Sequence, residues 1–128
     1  MKNALSVRYI YRATITRVID GDTFWATVDL GFRISAHEIF RVRNLNTPEI
    51  KRYAGVTAAE VVHGKQAKAH AEKLLPVGSE VTLRTYKNEP GAYARWEADV
   101  QLPTGNDYAA VMINHGFEKK TKYGKTRV

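Results

Sequence analysis

Residues 11–30, Tyr-Arg-Ala-Thr-Ile-Thr-Arg-Val-Ile-Asp-Gly-Asp-Thr-Phe-Trp-Ala-Thr-Val-Asp-Leu, decide the fold. The stretch 11–19 is rich in β-branched residues and reads as a first strand. Asp20-Gly21 then supplies a hairpin turn, since this pair tolerates the positive φ that tight turns need. From Phe24 the polarity alternates: Phe24, Ala26, Val28 and Leu30 take one face, and Trp25, Thr27 and Asp29 the other. Leu30-Gly31 turns the chain again, and residues 33–44 predict a third, longer strand.

Working outward, Pro48 ends that strand by removing a donor and restricting Thr47. A polar loop runs through Gly55. Thr57-Ala58-Ala59-Glu60 has the spacing of a capping box and opens an Ala-rich helix expected to reach about Leu75, with Gly64 a possible break inside it. Residues 79–87 and 95–102 alternate as two more strands, Trp96, Ala98, Val100 and Leu102 sharing a face. A short helix fits 106–115, closed by Gly116. Three strands, a helix, two strands and a helix give an α+β order, and five strands of this length can curl into a small barrel.

The 128 residues fit a single domain with a core large enough to need no staples, and the chain has no Cys, hence no disulfide or thiolate metal site. The N-terminus lacks the apolar run of a signal peptide, and no window approaches a membrane span. The expectation is therefore a soluble cytoplasmic monomer, with secretion of a longer precursor as the alternative. Lys and Arg number 20 against 13 Asp and Glu, a net charge of +7 that favours polyanionic partners. Residues from Lys119 to the end read as a basic, mobile tail.

Three places concentrate charge beyond what packing requires. Asp20-Gly21-Asp22-Thr23 puts two carboxylates at a turn, a hard-oxygen pair suited to Ca²⁺ or Mg²⁺, or simply a hairpin turn. Arg41, followed by Asn46-Thr47-Pro48-Glu49, offers a guanidinium to clamp a phosphate and a carboxylate to take a proton from water. Tyr93-Ala94-Arg95 offers a stacking ring and a second phosphate contact. Each motif alone is weak. His37, His63, His70 and His115 show no ligand spacing and read as structural or solvated.

Taken in this order and spacing, the set Asp20-Gly21-Asp22-Thr23, Arg41, Thr47-Pro48-Glu49 and Tyr93-Ala94-Arg95 resembles the staphylococcal-nuclease-like (thermonuclease) family over about residues 11–120. The resemblance implies a five-stranded oligonucleotide/oligosaccharide-binding (OB) barrel with packed helices. It implies a Ca²⁺-dependent endonuclease that hydrolyses DNA and RNA at the 5′ P–O bond and leaves 3′-phosphates. By position it implies Asp22, Asn46, the Thr47 carbonyl and, more weakly, Asp20 as metal ligands. Glu49 would activate water, Arg41 and Arg95 would grip the scissile phosphate, and Tyr93 would pack on the nucleotide.

Two departures stand out. Asn46 occupies a position usually Asp, which removes one ligand charge and implies weak Ca²⁺ binding, leaving Mn²⁺ or Mg²⁺ open; Ala92 stands where a basic residue is common. The competing expectation is a catalytically weak or inactive barrel kept as a nucleic-acid-binding module. A protein-interaction domain is a third. DNA or RNA preference is open.

Overall fold

The computed structural model of the protein describes residues 8–86 and 95–123. Strands β1 (Ile10–Asp20), β2 (Thr23–Asp29), β3 (Ser35–Val42), β4 (Glu80–Thr85) and β5 (Trp96–Gln101) close into a barrel in the order β1-β2-β3-β5-β4. Helix α1 (Ala58–Leu74) joins β3 to β4, and α2 (Tyr108–Asn114) follows β5. All neighbouring strands run antiparallel except β3 and β5, which are parallel and close the barrel. This is the OB-like five-stranded barrel with two helices that the resemblance implies and the strand and helix order permits.

The alternation in the sequence becomes the barrel interior. Ala13 and Ile15 of β1, Phe24, Ala26 and Val28 of β2, Phe40 and Val42 of β3, Val81 and Leu83 of β4, and Ala98 and Val100 of β5 are all buried. Burying one such large side chain contributes about 1.5–3 kcal/mol, so the closed barrel dominates the fold's stability. Helix α1 lays a narrow stripe on it, Glu60, Gly64, Ala67 and Ala71, at the spacing of one helical face. Leu75 continues that stripe into the core, while α2 contributes Tyr108, Ala109 and Met112.

Three local expectations change. Leu30 lies beyond β2 and is exposed rather than facing the core, because the chain turns through Gly31, Phe32 and Arg33, all at positive φ. The third strand is accordingly shorter, and its far end stops where Asn44 takes φ 62°, a left-handed conformation that Asn tolerates better than most residues. Gly64 does not break α1, which runs through it.

Among the described residues no helix is long and apolar enough to cross a membrane.

Candidate active site

The β1–β2 turn carries the first carboxylates. The register of β1 against β2 shifts twice, between Ile15 and Arg17 and between Val18 and Asp20. Such irregularities bend and twist a hairpin, which re-aims its tip. At that tip Asp22 is only 6 % exposed. Its Oδ1 accepts the Thr23 hydroxyl at 2.9 Å and its Oδ2 accepts the Thr47 backbone N–H at 2.9 Å. Asp20 Oδ1 accepts the Asp22 N–H at 3.1 Å. From beneath, the buried Tyr108 hydroxyl of α2 donates to the Gly21 carbonyl at 2.6 Å. Burial and the two carboxylates push this phenol well above its ordinary range, so it stays a donor.

Gly21 is required by proximity rather than by φ. A Cβ there would lie 2.6 Å from the Thr47 side chain, so the turn and the loop after β3 touch backbone to side chain.

Arg41, near the end of β3, ties that loop together. Its Nη1 donates to the Val42 carbonyl at 2.7 Å and to the Leu45 carbonyl; Nη2 donates to Asn46 Oδ1 at 3.3 Å and lies 3.5 Å from Asp22 Oδ2. A guanidinium has five N–H donors in a fixed plane; the two carbonyls take Nη1, Asn46 and Asp22 share Nη2, and Nε–H is left without a partner among the described residues. A guanidinium donor so placed suits a phosphate oxygen. Arg41 also lines a cleft of about 630 Å³ with Arg43, Arg95, Asn46, Glu97 and Glu118. The two arginines expected from the sequence to hold one phosphate, Arg41 and Arg95, thus share one wall.

Glu49 reaches the same neighbourhood through α1. Its backbone N–H donates to Glu60 Oε2 at 3.0 Å, and the same oxygen takes the Lys119 ammonium at 3.3 Å. Glu60 is 4 % exposed. The cap is half made: Thr57 Oγ1 accepts the Glu60 N–H at 3.1 Å, but the Glu60 carboxylate turns to Glu49 instead of returning to the helix start. Gly64, one turn on, lets the chain in. A Cβ at Gly64 would sit 2.2 Å from the Glu49 carbonyl oxygen and 2.7 Å from that of Pro48. Lys119 adds a backbone bond, its N–H donating to the Asn46 carbonyl at 2.7 Å. Half-buried Glu49 is therefore fixed by its backbone, while its carboxylate makes no hydrogen bond or ion pair among the described residues.

The four residues expected to bind metal meet here. Asp20 and Asp22 are bonded neighbours, Thr47 donates to Asp22, and Asn46 and Asp22 face one guanidinium nitrogen. Burial first, then the hydrogen bond and charge of Asp22, push the Asp20 carboxyl up to about 7. Two carboxylates crowded in a poorly solvated turn are a place where a divalent cation would relieve the repulsion. The oxygen-only donor set suits Ca²⁺, with two carboxylates and otherwise neutral oxygens giving it little charge. Among the described residues no three His, Cys, Asp or Glu side chains gather at one point.

Tyr93 lies outside the described residues. The supports that sequence reasoning missed are Glu60, Gly64, Tyr108 and Lys119. The histidines are structural in part: His63 Nε2 bonds the Gly116 carbonyl at 2.7 Å and must donate there, leaving Nδ1 to accept from the Tyr123 hydroxyl at 2.7 Å. No protein-family model matches the chain, and no curated protein matches it.

Proposed function

We propose that the protein is a metal-assisted phosphodiesterase acting on nucleic-acid strands, a staphylococcal-nuclease-like endonuclease. The observation that carries this reading is the meeting of Asp22, Arg41, Asn46, Thr47 and Glu49 on one loop-and-turn junction, with Glu49's carboxylate left unpaired among the described residues. Structural need alone does not account for a half-buried carboxylate, without a partner among the described residues, on the loop whose Leu45 and Asn46 line a cleft with three arginines.

In the proposed reaction a water oxygen attacks phosphorus while the bond from phosphorus to the 5′ oxygen breaks. Glu49 takes the proton of the attacking water, and the leaving 5′ oxygen takes one from solvent, giving a 3′-phosphate and a 5′-hydroxyl. Arg41 and Arg95 bind the equatorial oxygens, whose negative charge grows toward the transition state, so they hold it more tightly than the substrate. Asp20, Asp22, Asn46 and Thr47 would hold Ca²⁺, which supplies further charge neutralisation at the phosphate when bound.

The test is cleavage of single-stranded DNA across a Ca²⁺ titration from micromolar to tens of millimolar, with Glu49→Ala and Asn46→Asp alongside. Cutting that requires metal, is lost in Glu49→Ala and strengthens in Asn46→Asp is the expected result. No cutting at any Ca²⁺ level, with salt-sensitive DNA binding retained, would replace it with the second reading, a nucleic-acid-binding module. Asn46 favours that second reading, because it withholds a ligand charge.

A further inference from the structure

Arg43 is not accounted for by the chemistry above. It lies two residues beyond Arg41 with buried Val42 between them, and both arginines line the same cleft. Alternation along extended backbone puts residues i and i+2 on one side. Strand β3 ends at Val42, and the Arg43 N–H still donates to the Ala98 carbonyl of β5 at 2.9 Å.

The guanidinium is set on a platform. Its carbon stands 4.2 Å from the centre of the Tyr86 ring. Tyr86 is itself held, its hydroxyl donating to Asp99 Oδ2 across the β4–β5 pair. Arg43 Nε lies 3.6 Å from Glu97 Oε1, a pair in which both side chains are substantially exposed. An exposed ion pair alone is worth about 0–1 kcal/mol and would explain a surface Arg and nothing more. It does not explain why this Arg is held over a tethered ring. Stacking occupies the face of the guanidinium and leaves its in-plane donors for an anion. Nε is turned to Glu97 and a further donor engages the Tyr86 hydroxyl, so the other in-plane N–H groups are the ones offered to the cleft.

We propose that Arg43, seated on Tyr86, is a second phosphate contact in this cleft and takes the phosphate next along the strand from the one held by Arg41 and Arg95. The spacing fits: two residues of extended backbone cover about 6.6–6.8 Å, close to the separation of neighbouring phosphates in an extended strand. The ligand class is then a single strand with at least two consecutive phosphodiesters, and an isolated diester engages only half of the site. This assignment rests on the nucleic-acid reading of the same cleft.

The experiment pairs binding with turnover in the full chain. Binding of a fluorescein-labelled oligothymidylate is followed by anisotropy in EDTA, where no metal-dependent cutting occurs, from about 50 to about 300 mM salt. Arg43→Ala is expected to weaken binding roughly five- to tenfold and to lower the salt slope by about 0.7, the increment for one phosphate contact on a single strand. Arg43→Lys is expected to keep the slope, and Tyr86→Leu to weaken binding while circular dichroism stays unchanged. In turnover, Arg43→Ala is expected to raise KM on the oligonucleotide, hold kcat within about twofold, and leave cleavage of bis(4-nitrophenyl) phosphate unaltered. An unchanged Kd and salt slope in a folded Arg43→Ala would overturn the assignment, as would an equal loss on the single-diester substrate. If the parent protein cuts nothing, the nuclease reading fails while the binding arm still decides the role of Arg43.

Discussion

Replacing Gly64 by Ala sets two effects of opposite sign against each other. In a helix interior Ala is better than Gly by about 1 kcal/mol, so helix propensity alone makes Gly64→Ala stabilising. The new Cβ, however, would stand 2.2 Å from the Glu49 carbonyl oxygen, 2.7 Å from its carbon and 2.7 Å from the Pro48 oxygen. All three are backbone atoms, so no side-chain rotation relieves them. Restoring an ordinary contact near 3.5 Å needs roughly 1 Å of movement between α1 and the Pro48–Glu49 loop. That movement stretches the 3.0 Å bond from Glu49 N–H to Glu60 Oε2 beyond hydrogen-bond range. Overpacking costs about 1–3 kcal/mol and a lost bond to a charged acceptor about 1.5–3 kcal/mol, although part of the strain is released as the loop gives way. The net expectation is a loss of about 1–3 kcal/mol in urea unfolding, with circular dichroism unchanged. For the proposed catalysis, a displacement of about 1 Å at the carboxylate assigned the water's proton is expected to cost roughly a hundredfold in kcat. A Gly64→Ala protein that is more stable than the parent and equally active would refute the close approach and the role given to Glu49 together.

Tyr108→Phe removes the hydroxyl that donates to the buried Gly21 carbonyl and is expected to cost about 1–3 kcal/mol in thermal or urea unfolding, with weaker metal dependence of activity. A value near zero would show that the hydroxyl does not hold the Asp20–Asp22 turn. His70 has a buried Nε2 with no partner among the described residues, its ring lies tilted 4.6 Å from that of His115, and its pKa is lowered by burial first and then by His115 and Lys73. The unfolded chain therefore binds a proton below about pH 6.5 that the folded chain resists, so stability present above that pH is lost as pH falls. His70→Phe, which keeps the ring packing, is expected to flatten the fall in urea midpoint between about pH 7.5 and pH 5; an identical slope would place the acid sensitivity elsewhere. If Ca²⁺ binds near 1 mM, adding 10 mM is expected to stabilise the parent by about 1.4 kcal/mol, and Asn46→Asp by more. No calcium-dependent shift in either protein would remove the metal from this site.

The strands were legible because a barrel interior imposes a period of two, and Phe24-Ala26-Val28 or Ala98-Val100 obey it. Where the sequence misled, a backbone conformation was responsible. Positive φ at Gly31, Phe32 and Arg33 carries Leu30 out to solvent, which no alternation of polarity signals. Gly64 looked like a helix break because Gly is a poor helix former; its reason is a neighbouring loop distant in sequence, and a single chain read along its length carries no sign of that approach. Asp22, Arg41, Asn46 and Thr47 were legible as a set and do meet. Glu60 was legible only as half of a capping box, and Lys119 only as the start of a charged tail. The bonds that define them span 11 residues for Glu60 to Glu49, and connect Lys119 to Asn46 across the fold.

These supports bear on what metal removal should do. The loop from Leu45 to Glu49 is held by side chains from three elements: Asp22 after β1, Arg41 from β3 and Glu60 from α1. Two glycines, Gly21 and Gly64, admit it to contact distance. Arg41 holds this loop and also lines the cleft, so Arg41→Ala unties Leu45 and Asn46 as well as removing the proposed phosphate contact, and any loss of activity would overstate the phosphate contribution. None of the bonds that hold the loop needs a cation. Chelation is therefore expected to abolish cutting while near-ultraviolet circular dichroism stays the same, since a scaffold assembled from its own hydrogen bonds keeps its geometry when the charge between Asp20 and Asp22 is left uncompensated. A collapse of the near-ultraviolet signal on chelation would mean that the metal organises the loop, and that Asp22's bonds to Thr23 and Thr47 follow from occupancy rather than precede it.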